Sequence, residues 1–394
     1  MIGFDFTSRT RLVFGPNTVD TIGNHATEWS AKRALLVTDP HIAAAGHAPR
    51  AQQSLEAAGI HVTVFDQVRE NPTTEDVANC LAAAKAANID TFIAVGGGST
   101  MDTAKGANFI LTNGGAMSDY WGVGKASKPM LPLIAVPTTA GTGSECQSFA
   151  LIADANTHQK MACGDPKAAP RISILDPTLT LTQPPQVTAD TGIDALAHAV
   201  ETAVTKKHNE LSLLYAREAF RLVQANLPTV LQQPQNLEAR AAMLLGAAYA
   251  GTAIENSMLG AAHSAANPLT AHFNVVHGQA VGLMLPAVVR FNAQDPQTAA
   301  LYAQLAAQSR LVSPDADDQQ AVEALIQRIE TLLEAANLPR SLTQANVTRQ
   351  SIPTLAEEAA TQWTANFNPR TITAPDFIEL YESVYEAPAT ANAS

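Results

Sequence analysis

The first 180 or so residues alternate short β-branched runs with alanine-rich stretches of helical length, and this alternation limits the fold more than any other feature. "ALLVTD" (34–39), "HVTVFD" (61–66), "TFIAVGGGS" (91–99) and "LPLIAVPTT" (131–139) read as strands. A helix through about Gly59 follows the first strand, "TTEDVANCLAAAKAAN" precedes the third, and another helix opens at Thr100. Strands spaced by helices of this length form a parallel, doubly wound sheet with helices on both faces. After about Asp190 strand signals nearly vanish and long Ala/Leu-rich segments of helical spacing take over. Pro177, Pro184 and Pro185 punctuate "LDPTLTLTQPPQVTAD" (175–190), which is expected to be an extended linker. The expected organisation is an α/β domain over 1–183 and an all-helical domain over 184–394, ending in a short Ala/Thr-rich tail.

A net charge of −12 argues against nucleic acid or an anionic membrane as partner, because phosphate surfaces select dense Lys/Arg. Cys80, Cys146 and Cys163 are few, widely spaced and odd in number, which fits a reducing cytoplasm. The N-terminal "MIGFDFTSRTRLVFG" has no apolar run of signal-peptide length. From Asn256 to Val289 there is no Asp, Glu, Lys or Arg. That stretch nonetheless carries Asn256, His263, Asn267, His272, Asn274 and His277, each costly in lipid. A buried helical segment around a polar site is expected there, in a soluble protein with no membrane partner.

"IAVGGGSTMDTAKG" (93–106) is a buried strand, three glycines and a serine, then a helix. Gly96, Gly97 and Gly98 remove every Cβ that would hold a diphosphate off the backbone, and the helix offers free N–H groups and its positive end. The spacing is not G-x-G-x-x-G, since Met101 stands at the third glycine position. A second loop, "VPTTAGTGSE" (136–145), again follows a strand and offers Thr138, Thr139 and Thr142 among glycines. Two such loops suggest a dinucleotide across the carboxyl edge of the sheet. Asp39 closes a strand where a carboxylate would take the ribose 2′-hydroxyl and repel a 2′-phosphate, favouring NAD over NADP. A plain helix N-cap is an equally good reading of Asp39.

"TGIDALAHAVE" (191–201) sets Asp194 and His198 four residues apart on one helical face among apolar neighbours. A buried carboxylate needs a compensating cation. His263 and His277, in the uncharged segment, complete an Asp/His₃ set suited to Fe²⁺ or Zn²⁺, and His272 is left as structural.

With these motifs assembled, the chain resembles the iron-containing (group III) alcohol dehydrogenases, a family that includes lactaldehyde reductase and 1,3-propanediol dehydrogenase. The resemblance runs from "FGPNTVDTIG" through "GGGSTMDTAKG", "PTTAGTGSE", "ILDPTLTLTQPP", "TGIDALAHAVE" and "HGQAVGLMLPAVVRFN" to the C-terminal helices. It implies a Rossmann-like domain followed by a helical metal domain, the dehydroquinate synthase-like architecture. It also implies reversible, metal-dependent oxidation of a small primary alcohol to its aldehyde, and a homodimer or larger homo-oligomer. The metal ligands it implies are Asp194, His198, His263 and His277. The nucleotide contacts it implies are Asp39, Asn71, Gly97, Gly98, Ser99, Thr138, Thr139 and Thr142, and Gly96 and Asp102 of the glycine loop and its helix are expected to join them. Lys160 is expected near the nicotinamide ribose and Leu179 against the nicotinamide. Where many relatives carry a second histidine in His-x-x-x-His-Pro, this chain reads "HSAANP", so Asn267 stands at a place that cannot titrate near neutral pH and is expected to orient substrate. A hydroxyacid–oxoacid transhydrogenase holding its NAD, a metal-free reductase and a non-catalytic NAD-binding protein are the alternatives. Retention of all four ligands and of the glycine loop speaks against the last two.

Overall fold

The computed structural model describes residue 4, residues 6–157 and residues 159–386, so the Ala/Thr-rich tail lies outside the described residues. The chain divides between Gln183 and Pro184 into two compact units.

The first unit is built on nine strands: β1 (Arg11–Phe14), β2 (Arg33–Val37), β3 (His61–Phe65), β4 (Thr91–Gly96), β5 (Gly122–Val123), β6 (Leu133–Pro137), β7 (Phe149–Ala153), β8 (Lys160–Gly164) and β9 (Ile172–Leu175). Six form a parallel sheet in the order β1-β9-β6-β4-β2-β3. Every residue of β4 and β6 is buried, as parallel strands covered on both faces require. Alternate side chains divide between two cores: Leu35, Phe92 and Leu133 stand side by side on one face, and Leu36, Ile93 and Ile134 on the other. The strand order reverses between β2 and β4, so the crevice at their carboxyl ends is the switch point at which doubly wound sheets bind ligands.

Several boundaries differ from the sequence expectation. The helix after Asp39 is two helices, Pro40–Ala44 and His47–Ala57, parted at Gly46, whose φ of 86° only glycine adopts without strain. The helix after β4 opens at Gly98 rather than Thr100. Residues 149–164 hold the antiparallel pair β7–β8, which joins β5 in a three-stranded sheet that no periodicity announced. The expected linker over 175–190 is folded. Asp176 accepts from the Thr178 N–H to start a 3-10 turn over Pro177–Thr182, and Pro185 begins a long helix. Proline is compatible with the first turn of a helix, where its missing N–H would have no partner, so a Pro-rich stretch here marks a helix start.

The second unit has no strand among its described residues. Its main helices are Pro185–Thr202, Glu210–Gln232, Leu237–Ser257, Ala261–Phe273, His277–Asn292, Pro296–Gln308, Asp318–Ala335, Ile352–Thr361 and Ala374–Ser383. Gly192 lies against Leu227 and Gly246 against Val223, so close that an added Cβ would stand 2.5 and 2.8 Å from those side chains. Among the described residues no helix is long and apolar enough to cross a membrane.

Candidate metal centre and nucleotide loops

Three elements of the helical unit bring the four expected ligands together. Asp194 and His198 lie one turn apart on the buried helix Pro185–Thr202, His263 is the third residue of Ala261–Phe273, and His277 opens His277–Asn292. The residue after His277 must be glycine: a Cβ on Gly278 would stand 2.0 Å from the Asp190 carbonyl oxygen, so the start of that helix rests directly on the Asp194 helix. Asp194 Oδ1 is the common point. The Nε2 atoms of His198, His263 and His277 stand 3.4, 3.5 and 3.8 Å from it. The rings of His198 and His263 stack with centroids 4.8 Å apart, and that of His277 is tilted 56° to His263. Asp194, His263 and His277 each offer a ligand atom within 4.8 Å of the others.

A divalent cation fits this set. Asp194 Oδ1 and His263 Nε2 are buried and make no hydrogen bond. Two donors each about 2.0–2.1 Å from a tetrahedral ion lie roughly 3.3–3.4 Å apart, which matches the shorter of these contacts. Burial alone would raise the Asp194 carboxyl, but the three imidazoles outweigh it and hold the group well below the usual carboxylate range. Burial opposes charge on His263, yet the Glu201 and Asp194 carboxylates beside it push that imidazole up to about 9.

Glu201 escaped the sequence reading. It is buried, accepts the Ala262 N–H at Oε1 (2.7 Å), and meets His263 Nδ1 at Oε2 (2.5 Å). Its signal was present in "TGIDALAHAVE", seven residues after Asp194 and three after His198 on one helical face. The uncharged segment is not buried throughout, contrary to expectation. His272 is 44% exposed and pairs with Glu358 at 2.8 Å, because the helix ends at Phe273 and its last turn faces outward. Asn267 is half-buried and donates its amide to Gln362 Oε1 (3.0 Å).

In the α/β unit the two glycine-rich loops follow the neighbouring strands β4 and β6 and touch: a Cβ on Gly97 would meet Thr139 at 3.4 Å and one on Gly98 would meet Thr142 at 2.9 Å. The helix Gly98–Asn113 begins there with Gly97 as its N-cap. Asn71, at a left-handed φ of 52°, gives its N–H to Ser99 Oγ. Thr138 Oγ1 is buried with no hydrogen-bond partner, an orphaned polar atom at the edge of this loop pair. The glycine cradle, helix N-terminus and orphaned hydroxyl fit a dinucleotide phosphate. Asp39 caps the helix Pro40–Ala44 by accepting two N–H groups at a single oxygen, Oδ1. Lys160 is exposed at the start of β8. Leu179 is 1% exposed and packed in the sheet core with Val19, Ile174 and Leu36, which leaves it no surface for a nicotinamide ring.

Asp102 points inward. It accepts from Ser144 Oγ (2.9 Å), and Lys105, fully buried, donates its ammonium to Ser144 Oγ, Ser144 O and Phe149 O. This network ties the helix of the first loop to the backbone of the second. Glu145 beside it is buried with Oε1 unpartnered, and burial pushes its carboxyl up to about 7. A carboxyl raised in the folded state withdraws stability as pH rises from its unfolded value near 4.5 through about 7, because folding then holds a desolvated charge. E145Q should therefore gain about 2–3 kcal/mol on wild type between pH 5 and pH 8, read as the difference between urea unfolding curves at the two pH values. Parallel curves at both would show that Glu145 titrates normally.

Comparison with known proteins agrees along nearly the whole chain. Residues 9–177 match the family described as iron-containing alcohol dehydrogenase, and residues 188–385 match the C-terminal part of the Fe-containing alcohol dehydrogenase family. The chain is 31% identical to the NAD-dependent methanol dehydrogenase of Bacillus methanolicus, over 94% of this chain and 97% of that one. It is 34% identical to the 1,3-propanediol dehydrogenase of Klebsiella pneumoniae, over 93% and 95%. A crystal structure of a 1,3-propanediol oxidoreductase superposes with a TM-score of 0.94 at 31% identity, covering 98% of this chain and all of that one.

Proposed function

The chain belongs to the iron-containing alcohol dehydrogenase family and is a metal-dependent oxidoreductase of alcohols and aldehydes, and from that premise we propose that it interconverts a small primary alcohol and its aldehyde with NAD. The single observation that carries the reading is Asp194 Oδ1 ringed by three imidazole Nε2 atoms. Asp194, His198, His263 and His277 hold Fe²⁺ or Zn²⁺, since a carboxylate with three imidazoles accepts either. When bound, the cation polarises the substrate oxygen as a Lewis acid and the nicotinamide gives or takes the hydride.

The rest is done by the chain. Gly96, Gly97, Gly98 and Ser99 leave the backbone bare for the diphosphate at the helix N-terminus, and Thr138, Thr139 and Thr142 offer hydroxyls beside it. Asn71 braces Ser99, and Asp102 acts through Ser144 on the shape of the second loop. Asp39 spends Oδ1 on its helix cap and presents its remaining oxygen to the adenosine ribose, which favours NAD over NADP. Lys160, exposed at the start of β8, serves the nicotinamide ribose. Asn267, its amide set by Gln362, orients substrate and cannot relay a proton. The relatives named for methanol and for 1,3-propanediol support a short alcohol. A cytoplasmic homodimer or larger homo-oligomer completes the reading; buried cysteines that form no disulfide support the reducing compartment.

The test strips the protein of metal, reloads it separately with Fe²⁺ and Zn²⁺, and follows NADH oxidation against short aldehydes. Turnover that returns with at least one metal is expected. A site filled by metal with no NADH consumed on any aldehyde would sink the simple dehydrogenase and leave a transhydrogenase with retained NAD.

A further inference from the structure

We infer that Glu201 is the positioning residue of the metal centre: it fixes the ring proton of His263 on Nδ1, so that Nε2 presents a lone pair toward Asp194. The inference rests on the metal-centre reading above. Both Glu201 oxygens are committed as acceptors inside the protein. Oε1 takes the Ala262 N–H at 2.7 Å, and Ala262 is the second residue of the helix that carries His263. At 2.5 Å from Oε2, His263 Nδ1 must be the N–H side of the ring. A neutral imidazole has one donor and one acceptor, so a donor at Nδ1 makes Nε2 the acceptor. Nε2 is the atom that lies 3.5 Å from Asp194 Oδ1, and neither of these buried atoms has a hydrogen-bond partner. With the ring neutral, a lone pair on Nε2 faces the Asp194 oxygen, an arrangement that needs a cation between them: a proton in the metal-free protein, the metal once it displaces that proton.

The surroundings hold the carboxylate in place. Glu201 sits at the positive end of the helix Ala261–Phe273, where a negative charge is favoured. Asn368 Oδ1 accepts the preceding N–H, that of Ala261, and Asn292 and Asn368 bond to each other through both amides. Gly260 closes the seat: a Cβ there would stand 3.1 Å from Asn368 Oδ1 and 3.2 Å from Glu201 Oε1. One residue pair thus sets both where the helix begins and how its histidine is turned. Carboxylate partners of this kind raise the basicity of a ligating imidazole and fix its orientation.

The decisive variant is E201Q. Its amide oxygen can keep the Ala262 N–H, which turns the NH₂ onto His263 Nδ1, makes that atom the acceptor, and moves the ring proton onto Nε2. Zn²⁺ titration of the metal-stripped full-length protein against a chromophoric chelator should show affinity reduced about ten- to a hundredfold, with an unchanged far-UV spectrum. Equal Zn²⁺ affinity of E201Q and wild type overturns the inference and leaves the metal centre standing. A wild-type chain that takes up no Zn²⁺ overturns both. Should E201Q fail to fold, Zn²⁺-loaded wild type with ¹⁵N-labelled histidine decides instead. Metal on Nε2 and the proton on Nδ1 of His263 are expected, and metal on Nδ1 overturns the assignment.

Discussion

D194A should lose its metal and, with it, at least about a thousandfold in aldehyde reduction, since a Lewis acid supplies several kcal/mol to the developing charge and each 1.4 kcal/mol is tenfold in rate. The loss is expected to be large because Asp194 Oδ1 is the one atom that all three imidazoles share. Three neutral rings would be left to hold a buried divalent charge without the anion that offsets it. Metal content by elemental analysis and turnover on reloading check this together; stoichiometric metal in D194A would remove Asp194 from the ligand set. The same geometry sets a pH dependence. In the metal-free protein the depressed Asp194 carboxyl contributes stability above its unfolded value near 3.8, lost as pH falls. The raised His263 contributes below its unfolded value near 6.5, and this is lost as pH climbs through about 9. A metal must displace the His263 proton, so apparent metal affinity should rise about tenfold per pH unit up to about pH 9.

K105M should destabilise the α/β unit by about 3–5 kcal/mol, the usual cost of removing one partner from a buried charge network. At roughly 2–4 °C per kcal/mol, the melting temperature of the metal-loaded enzyme would fall by roughly 10 °C. Methionine fills the space of the lysine stem but donates nothing. Ser144 O and Phe149 O then lose a buried donor, and the buried Asp102 carboxyl loses the cation that favours its charged form. Because Ser144 lies in the second glycine-rich loop, KM for NADH should rise while metal content stays as in wild type. A melting temperature within a degree or two of wild type would mean that the network is dispensable.

Lys105 also shows where sequence reading stops. "MDTAKG" lies within a helix of ordinary pattern, and nothing in the spacing distinguishes a lysine in water from one wholly buried. Its burial follows from β4 and β6 being neighbours, which brings residues 39 and 44 positions further along the chain onto its ammonium. The β7–β8 pair was missed for a related reason: a small sheet set beside the main one needs no long apolar alternation. Leu179 looked like a cofactor contact because it stands in a motif, but its apolar side chain had a core to enter.

What the sequence determined by itself is what local periodicity and chemistry encode. The parallel sheet follows from buried runs spaced by helices. The candidate cofactor loops follow from glycines at strand ends, and the candidate metal set from histidines and an aspartate placed among apolar residues. The tertiary structure alone decided which polar atoms meet across distant segments: Glu201 against His263, Lys105 against Ser144, Asn267 against Gln362 and Gly278 against Asp190. Periodicity reports which face of an element is buried, but the partner on that face is chosen by packing. Hydrogen-bond directions, and with them the tautomer of a metal-facing histidine, exist only once that packing is complete.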